Sequence, residues 1–232
     1  MFDFEYSVVR SARRKTVGLA VFPDGRVTVT APHYATDEQI GKIVEKKSAW
    51  IRDRLDFFRS SAAPSAPVEY KDGTELLLLG RRYRLKISEG LARSVKIDGD
   101  SIHLSLPLHL EGSDRAARIA AQLRQWYGSR ALEVIHGRVR IYRERLGVRI
   151  GAVKVKALRS RWGSCSSRGN LSFGWQLVMA PMKIVDYVVV HELCHILCMD
   201  HSPRFWAHVE SILPDCRRRR DWLRDNGSTL VL

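Results

Sequence analysis

The sequence predicts an α+β fold, with a β-rich N-terminal half that carries helices and a second half built mainly from helices. Two observations point there. Short runs of alternating apolar and polar residues, bounded by Asp-Gly and Gly turns, reach to about residue 106. Beyond Ser113 the apolar residues recur at helical spacing, and a pair of histidines shares that spacing. The expected division is therefore a β-rich region with one helix over 1–110 and a second region, carrying the histidine pair, over 111–232.

The elements follow in order. Thr16 to Phe22 and Arg26 to Thr30 flank Pro23-Asp24-Gly25, a hairpin signal. From Thr36 to about Arg59, Ile40, Ile43, Val44, Ile51 and Leu55 mark one helix. The Ala/Ser/Pro stretch from Ser60 to Pro67 is the best linker candidate, or else a surface loop within one unit. Strands are expected over Thr74 to Leu79, Arg81 to Ile87, Val95 to Ile97 and Ser101 to Leu106, with turns at Gly80 and Asp98-Gly99. Ser113 is a candidate cap for a long helix ending near Gly147, which Gly128 and Gly137 should bend or break. Ala152 to Leu158 and Asn170 to Val178 read as strands. Pro181 suits the first turn of a helix to about Met199, and Ser202-Pro203 suits the start of another through Leu213.

The 232 residues suffice for one large domain or two modest ones, and the composition excludes wholesale disorder. No apolar run is long enough to cross a bilayer, and Met1 to Arg10 carries charges where a secretion signal would be apolar. Cys165, Cys194, Cys198 and Cys216 form no regular framework of pairs. A cytoplasmic protein with reduced thiols and no membrane partner is the expectation. The net charge of +14 fits either polyanionic partners, nucleic acid or nucleotides among them, or a solubilising surface.

The informative segment runs from Val190 to His201. His191 and His195 lie four residues apart on a helix, which places both imidazoles on one face, where a single ion can bridge them. Glu192 sits about 100° around the helix, able to reach a water on that ion without binding it. His201, just past the helix end, is the natural third ligand; Glu210 is a rival. Zn²⁺ is the expected ion for three imidazoles, with manganese, cobalt and nickel left open by ligand type alone. Asp200 either orients a ligand or sits in the turn. Cys194 and Cys198 read as small packing residues. Cys165 has no evident base beside it for use as a nucleophile. Trp162, Phe205 and Trp206 read as packing around the site.

The stretch from Arg159 to about Trp222 resembles the YgjP-like branch of the minimal zincin metallopeptidases, relatives of the SprT-like proteases. Three pieces carry the resemblance: Arg161-Trp162-Gly163-Ser164-Cys165 followed by Gly169-Asn170-Leu171; the His191 to His195 motif; and His201-Ser202-Pro203-Arg204-Phe205-Trp206. Less diagnostically, the hairpins and Gly80-Arg81-Arg82-Tyr83 fit that family's β-rich first half. The resemblance implies His191, His195 and His201 as metal ligands, Glu192 as the catalytic glutamate, and a polypeptide substrate. It also suggests an edge strand before the motif helix that takes an extended peptide, for which Asn170 to Trp175 is the candidate. Arg161, Asn170 and Arg204 are the candidate substrate-binding residues, with Arg161 and Arg204 also able to steady an oxyanion.

The expected activity is thus zinc-dependent hydrolysis, as a metallopeptidase with Glu192 as general base. Two rival readings remain at this stage. The same site could act on a nucleotide phosphoanhydride, although no P-loop pattern is present. The protein could instead be a basic nucleic-acid binder with structural zinc.

Overall fold

The computed structural model describes residues 3–12, 14, 16–22, 24–61, 70–90, 94–107, 112–158 and 161–232. The chain divides into two compact units, Met1–Pro67 and Val68–Leu232.

In the first unit, β2 (Gly18–Val21) and β3 (Val27–Pro32) form the expected hairpin, with Val21 opposite Val27. Asp24 accepts the Arg26 amide at 3.1 Å within the turn, while Pro23 lies outside the described residues. A strand the sequence did not reveal, β1 (Ser7–Ser11), pairs parallel to β3, giving the order β1-β3-β2. Val8 and Val9 are both exposed, so β1 has no buried face to imprint an alternating pattern. The expected single helix is two, α1 (Asp37–Lys46) and α2 (Ser48–Ser61), with a break at Lys47. Thr36 and Gln39 form a reciprocal capping box at the start of α1. The break lets Ile40 and Val44 of α1 and Ile51 and Leu55 of α2 enter one core with Val27, Val29 and Ala31. Of the linker candidate, Ser60 and Ser61 belong to α2, and 62–67 lie outside the described residues.

In the second unit, β4 (Glu75–Leu78), β5 (Arg81–Glu89), β6 (Ser94–Asp98) and β7 (Ser101–Leu106) form a sheet in the order β4-β5-β7-β6. The sequence expectation of a border at residue 110 cuts through this unit. Leu85, Ile102 and Leu104 of the sheet share one core with Leu123, Tyr127, Val188 and Leu193 of the helices. The Tyr127 hydroxyl donates to the Leu77 carbonyl at 2.7 Å, tying helix to sheet.

That helix, α3 (Gly112–Leu146), is continuous over 35 residues and so about 52 Å long. Gly128 and Gly137 do not break it. Each costs only about 1 kcal/mol in a helix interior, and the buried row Ile119, Leu123, Tyr127, Ala131, Ile135 and Val139 outweighs that. The helix already begins at Gly112, and the Ser113 side chain is outside the described residues.

A second small sheet contains β8 (Val153–Lys156), β9 (Gly163–Cys165) and β10 (Leu171–Gly174) in the order β8-β10-β9. The expected strand Asn170 to Val178 stops at Gly174 and continues as a 3-10 turn, Trp175–Met179. Because β10 pairs on both sides, Asn170 to Trp175 is not the edge strand that the sequence suggested. Among the described residues, the edges of this sheet are β8 and β9, and β9 packs against α4 (Met182–Leu197). The chain closes with α5 (Pro203–Ile212) and α6 (Cys216–Asn226). The sequence left α6 as a run of arginines, because only Cys216 and Leu223 of its residues are buried.

The β4–β5 connection is a two-residue turn with φ +51° at Leu79 and +77° at Gly80. A Cβ at Gly80 would lie 2.8 Å from Pro181 Cγ, directly before α4. Gly80→Ala is therefore expected to destabilise the second unit by about 1–3 kcal/mol, the range for a strained backbone residue, as read from urea unfolding.

Candidate metal centre

Helix α4 is apolar nearly all round over its first two turns. Ile184, Val185, Val188, Val189 and Val190 are each at most 4 % exposed. The one buried charged residue there, Asp186, receives a two-pronged ion pair from Arg138 of α3 at 2.5 and 3.0 Å. Burial on this scale fixes the rotation of α4, and hence the direction in which its last turns point.

Those last turns carry His191 and His195, whose ring centroids lie 4.9 Å apart. The helix ends at Leu197, two residues short of the expected Met199, and Cys198 turns extended. That early exit sets Cys198 O 3.2 Å from His195 Nδ1. A carbonyl can only accept, so Nδ1 carries the proton and Nε2 presents its lone pair to the cluster. Asp200 then accepts the Ser202 amide at 3.1 Å and the Cys198 thiol at 3.0 Å. Asp200 thus builds the turn that returns His201 to the helix.

The three imidazoles converge, with one nitrogen from each lying within 4.8 Å of the others. His191 Nε2 and His201 Nε2 are 3.1 Å apart. Phe205 of α5 is fully buried beneath them, stacked on His195 at 4.6 Å and edge-on to His191 and His201. Trp206 lies 5.9 and 6.0 Å from His191 and His201. Glu210 is not part of the cluster; it pairs with Arg217 at 3.3 Å. Trp162 packs against Gly227.

The donor set fits a metal ion. Burial, together with His195, His201 and Arg220, drives the His191 imidazole down to about 3, and burial also lowers His195. Both rings are therefore neutral, as coordination requires. Ligand nitrogens about 2.1 Å from a tetrahedral ion lie roughly 3.4 Å from one another, close to the His191–His201 separation. Two such nitrogens can share only one proton, whereas a cation satisfies every lone pair in the cluster. His191 Nδ1 is buried without a partner, so that ring has its other nitrogen as its only engaged site.

Glu192 is 6 % exposed on the same helix. Burial pushes its carboxyl up to about 7, against the opposing positive charge of Arg161. Gly163 of β9 presses on it: a Cβ there would fall 2.6 Å from both Glu192 Cγ and Oε1. Cys194 is fully buried with its thiol pushed up to about 12, a packing residue as expected. Burial also raises Cys165, and its thiol faces the Ser166 carbonyl at 3.4 Å rather than a base.

The three candidate substrate-binding residues part company. Arg161 is exposed and electrostatically coupled to Glu192. Arg204 is exposed on the first turn of α5, without a hydrogen bond or ion pair among the described residues. Asn170 braces the backbone: its Oδ1 accepts the Ala152 amide at 2.8 Å, joining β8 to the loop before β10. Sequence reasoning missed Gly163, Tyr187 and Arg220. Tyr187 sits four residues before His191, 5.9 Å from its ring, with burial raising its hydroxyl to about 12. Its spacing was a usable signal. Arg220 stacks over Trp206 at 5.1 Å and was hidden in a charge run.

The family model described as YgjP-like, metallopeptidase domain, matches residues 15–226. No curated protein matches significantly. Among solved structures, the metallopeptidase zymogen of Pyrococcus abyssi abylysin matches at 22 % identity with a TM-score of 0.36. That match covers 38 % of this chain and 89 % of the other. Among the described residues, no helix is long and apolar enough to cross a membrane.

Elemental analysis of protein purified without chelator or histidine tag should find about one metal ion per chain, strongly reduced in His201→Ala. Gly163→Ala should keep the metal and lower hydrolysis at least tenfold by displacing Glu192.

Proposed function

Because the chain belongs to the YgjP-like metallopeptidase family, we propose that it is a zinc-dependent peptidase with Glu192 as its general base. One observation carries the reading: three imidazoles converge beside a buried carboxyl that has no ion-pair partner among the described residues. His191, His195 and His201 would hold the ion, leaving one of four positions open. Zinc bound there would supply Lewis acidity, polarising a carbonyl and bringing the pKa of water towards about 7.

Glu192, itself raised to about 7, is matched to accept a proton at neutral pH and to pass it to a leaving amine. Gly163 fixes the position of that carboxyl, and Arg161 favours its ionised form. We assign the peptide-binding edge to β9, whose outer side pairs with no strand among the described residues. An extended chain added there would run beside Glu192. Arg161 and Arg204 are the candidates for steadying the oxyanion. His195 is held in one tautomer by Cys198 O, so the ligand ring cannot turn away.

Glu192→Gln tests the reading, since it preserves shape and removes the base. Metal content should stay at the wild-type level while cleavage of an unfolded protein falls by a factor of about 10²–10⁴. Wild-type turnover in the variant would overturn the general-base role. Glu192-dependent hydrolysis of nucleoside triphosphates, with unfolded protein left intact, would replace the peptidase by a nucleotide hydrolase.

A further inference from the structure

The charge of this protein is not evenly spread. Between Val134 and Leu158 there are seven Lys and Arg against the single acidic residue Glu144, so this short stretch holds +6 of the net +14. The fold gathers it in one place, because the C-terminal half of α3 packs against β8. Among the described residues, two of the seven cations have partners. Arg138 pairs with Asp186, and both Arg138 and Arg145 lie over the Tyr142 ring. Arg140, Arg143, Arg149, Lys154 and Lys156 are exposed, without a side-chain hydrogen bond or ion pair among the described residues.

Between α3 and β8 runs a surface groove of about 380 Å³, lined by His136, Gly137, Val139, Arg140, Arg143, Ile150 and Val153. His136, Arg140 and Arg143 stand at i, i+4 and i+7, one face of a rigid helix, with the two arginines facing the groove. None of these residues belongs to the imidazole cluster or its supports.

We propose that this groove and its flanking cations bind the phosphate backbone of a double-stranded nucleic acid, a function separate from hydrolysis at the imidazoles. Charge complementarity names the occupant. Guanidinium groups outnumber lysines, and their forked donors match phosphate oxygens. A fixed row of unpaired cations fits a regular line of anions. The lining offers no Trp, Tyr or Phe on which an unpaired base could stack, which favours the duplex over the single strand. Nor is there a row of side-chain amides or carboxylates for base edges, so recognition is of the backbone and independent of sequence. An acidic protein segment is the competing occupant.

The test is fluorescence anisotropy with a 20-base-pair DNA duplex of mixed sequence, titrated with the full-length protein across a salt series. The comparison is between Arg140→Glu/Arg143→Glu and a charge-matched control, Lys86→Glu/Lys96→Glu, on exposed positions of β5 and β6. The wild type should bind with an affinity that falls steeply with salt. The groove variant should lose at least tenfold and flatten the slope of log K against log salt by about 2, at about 0.9 for each phosphate no longer neutralised. The control should stay within about threefold of wild type, and all three proteins should show the same circular dichroism. Equal losses in both variants would reduce the effect to net charge and overturn the groove. Absence of duplex binding at 50 mM salt would overturn nucleic acid as the partner. If poly-glutamate then bound in a manner abolished in the groove variant, the occupant would be an acidic protein segment.

Discussion

Between Ile184 and Val190, helix α4 has no side turned to water, and its one carboxylate is held by Arg138. Each fully buried Val or Ile there contributes about 1.5–3 kcal/mol. The helix therefore has one rotation and one depth at which it can sit. His191, Glu192 and His195 inherit that placement, since their side chains follow directly from the helical period. The remaining pieces adapt to it. The chain exits at Cys198, the Asp200 turn returns His201, and Phe205 of α5 closes the underside of the rings.

Two buried carboxylates stand out among the described residues, and their surroundings differ in kind. Asp186 meets a guanidinium in bidentate geometry, the arrangement that makes a buried charge tolerable. Glu192 has only the more distant field of Arg161 and lies against the backbone of Gly163. A carboxyl left in that condition exchanges its proton near neutrality, which is costly for stability and useful for chemistry. The imidazoles show the same logic with the opposite sign. In a chain of net charge +14, burial keeps His191 and His195 uncharged and their lone pairs free.

Much of the site was legible in the sequence because it is local. His191, Glu192 and His195 are related by one helical turn, and His201 lies a short loop away. Ser202-Pro203 did begin the next helix. What escaped is non-local. Gly163 matters only because β9 packs on α4, and Arg220 only because α6 folds back over Trp206. The placement of Asn170 followed a motif, yet its side chain serves the Ala152 amide. In the fold, alternation marked strands with one buried face and missed β1, which has none. A border at 110 was suggested by the change of period from strand to helix, but the two kinds of element share a core. The two glycines of α3 carried a genuine local preference that packing overruled.

The brevity of β9 has consequences for selectivity. Three residues offer an added strand only about two or three main-chain hydrogen bonds, each with a net value of about 0.5–1.5 kcal/mol. Such a grip is weak: about 4 kcal/mol corresponds to millimolar affinity. On the peptidase reading, a chain visiting this edge leaves again quickly, and a segment already extended has the advantage over one that must first unfold. Discrimination would then reside less in side-chain pockets than in residence, in how long and how near a loose segment is kept. On that reading, a peptidase with so faint a hold on any one substrate would depend on its surroundings to choose for it.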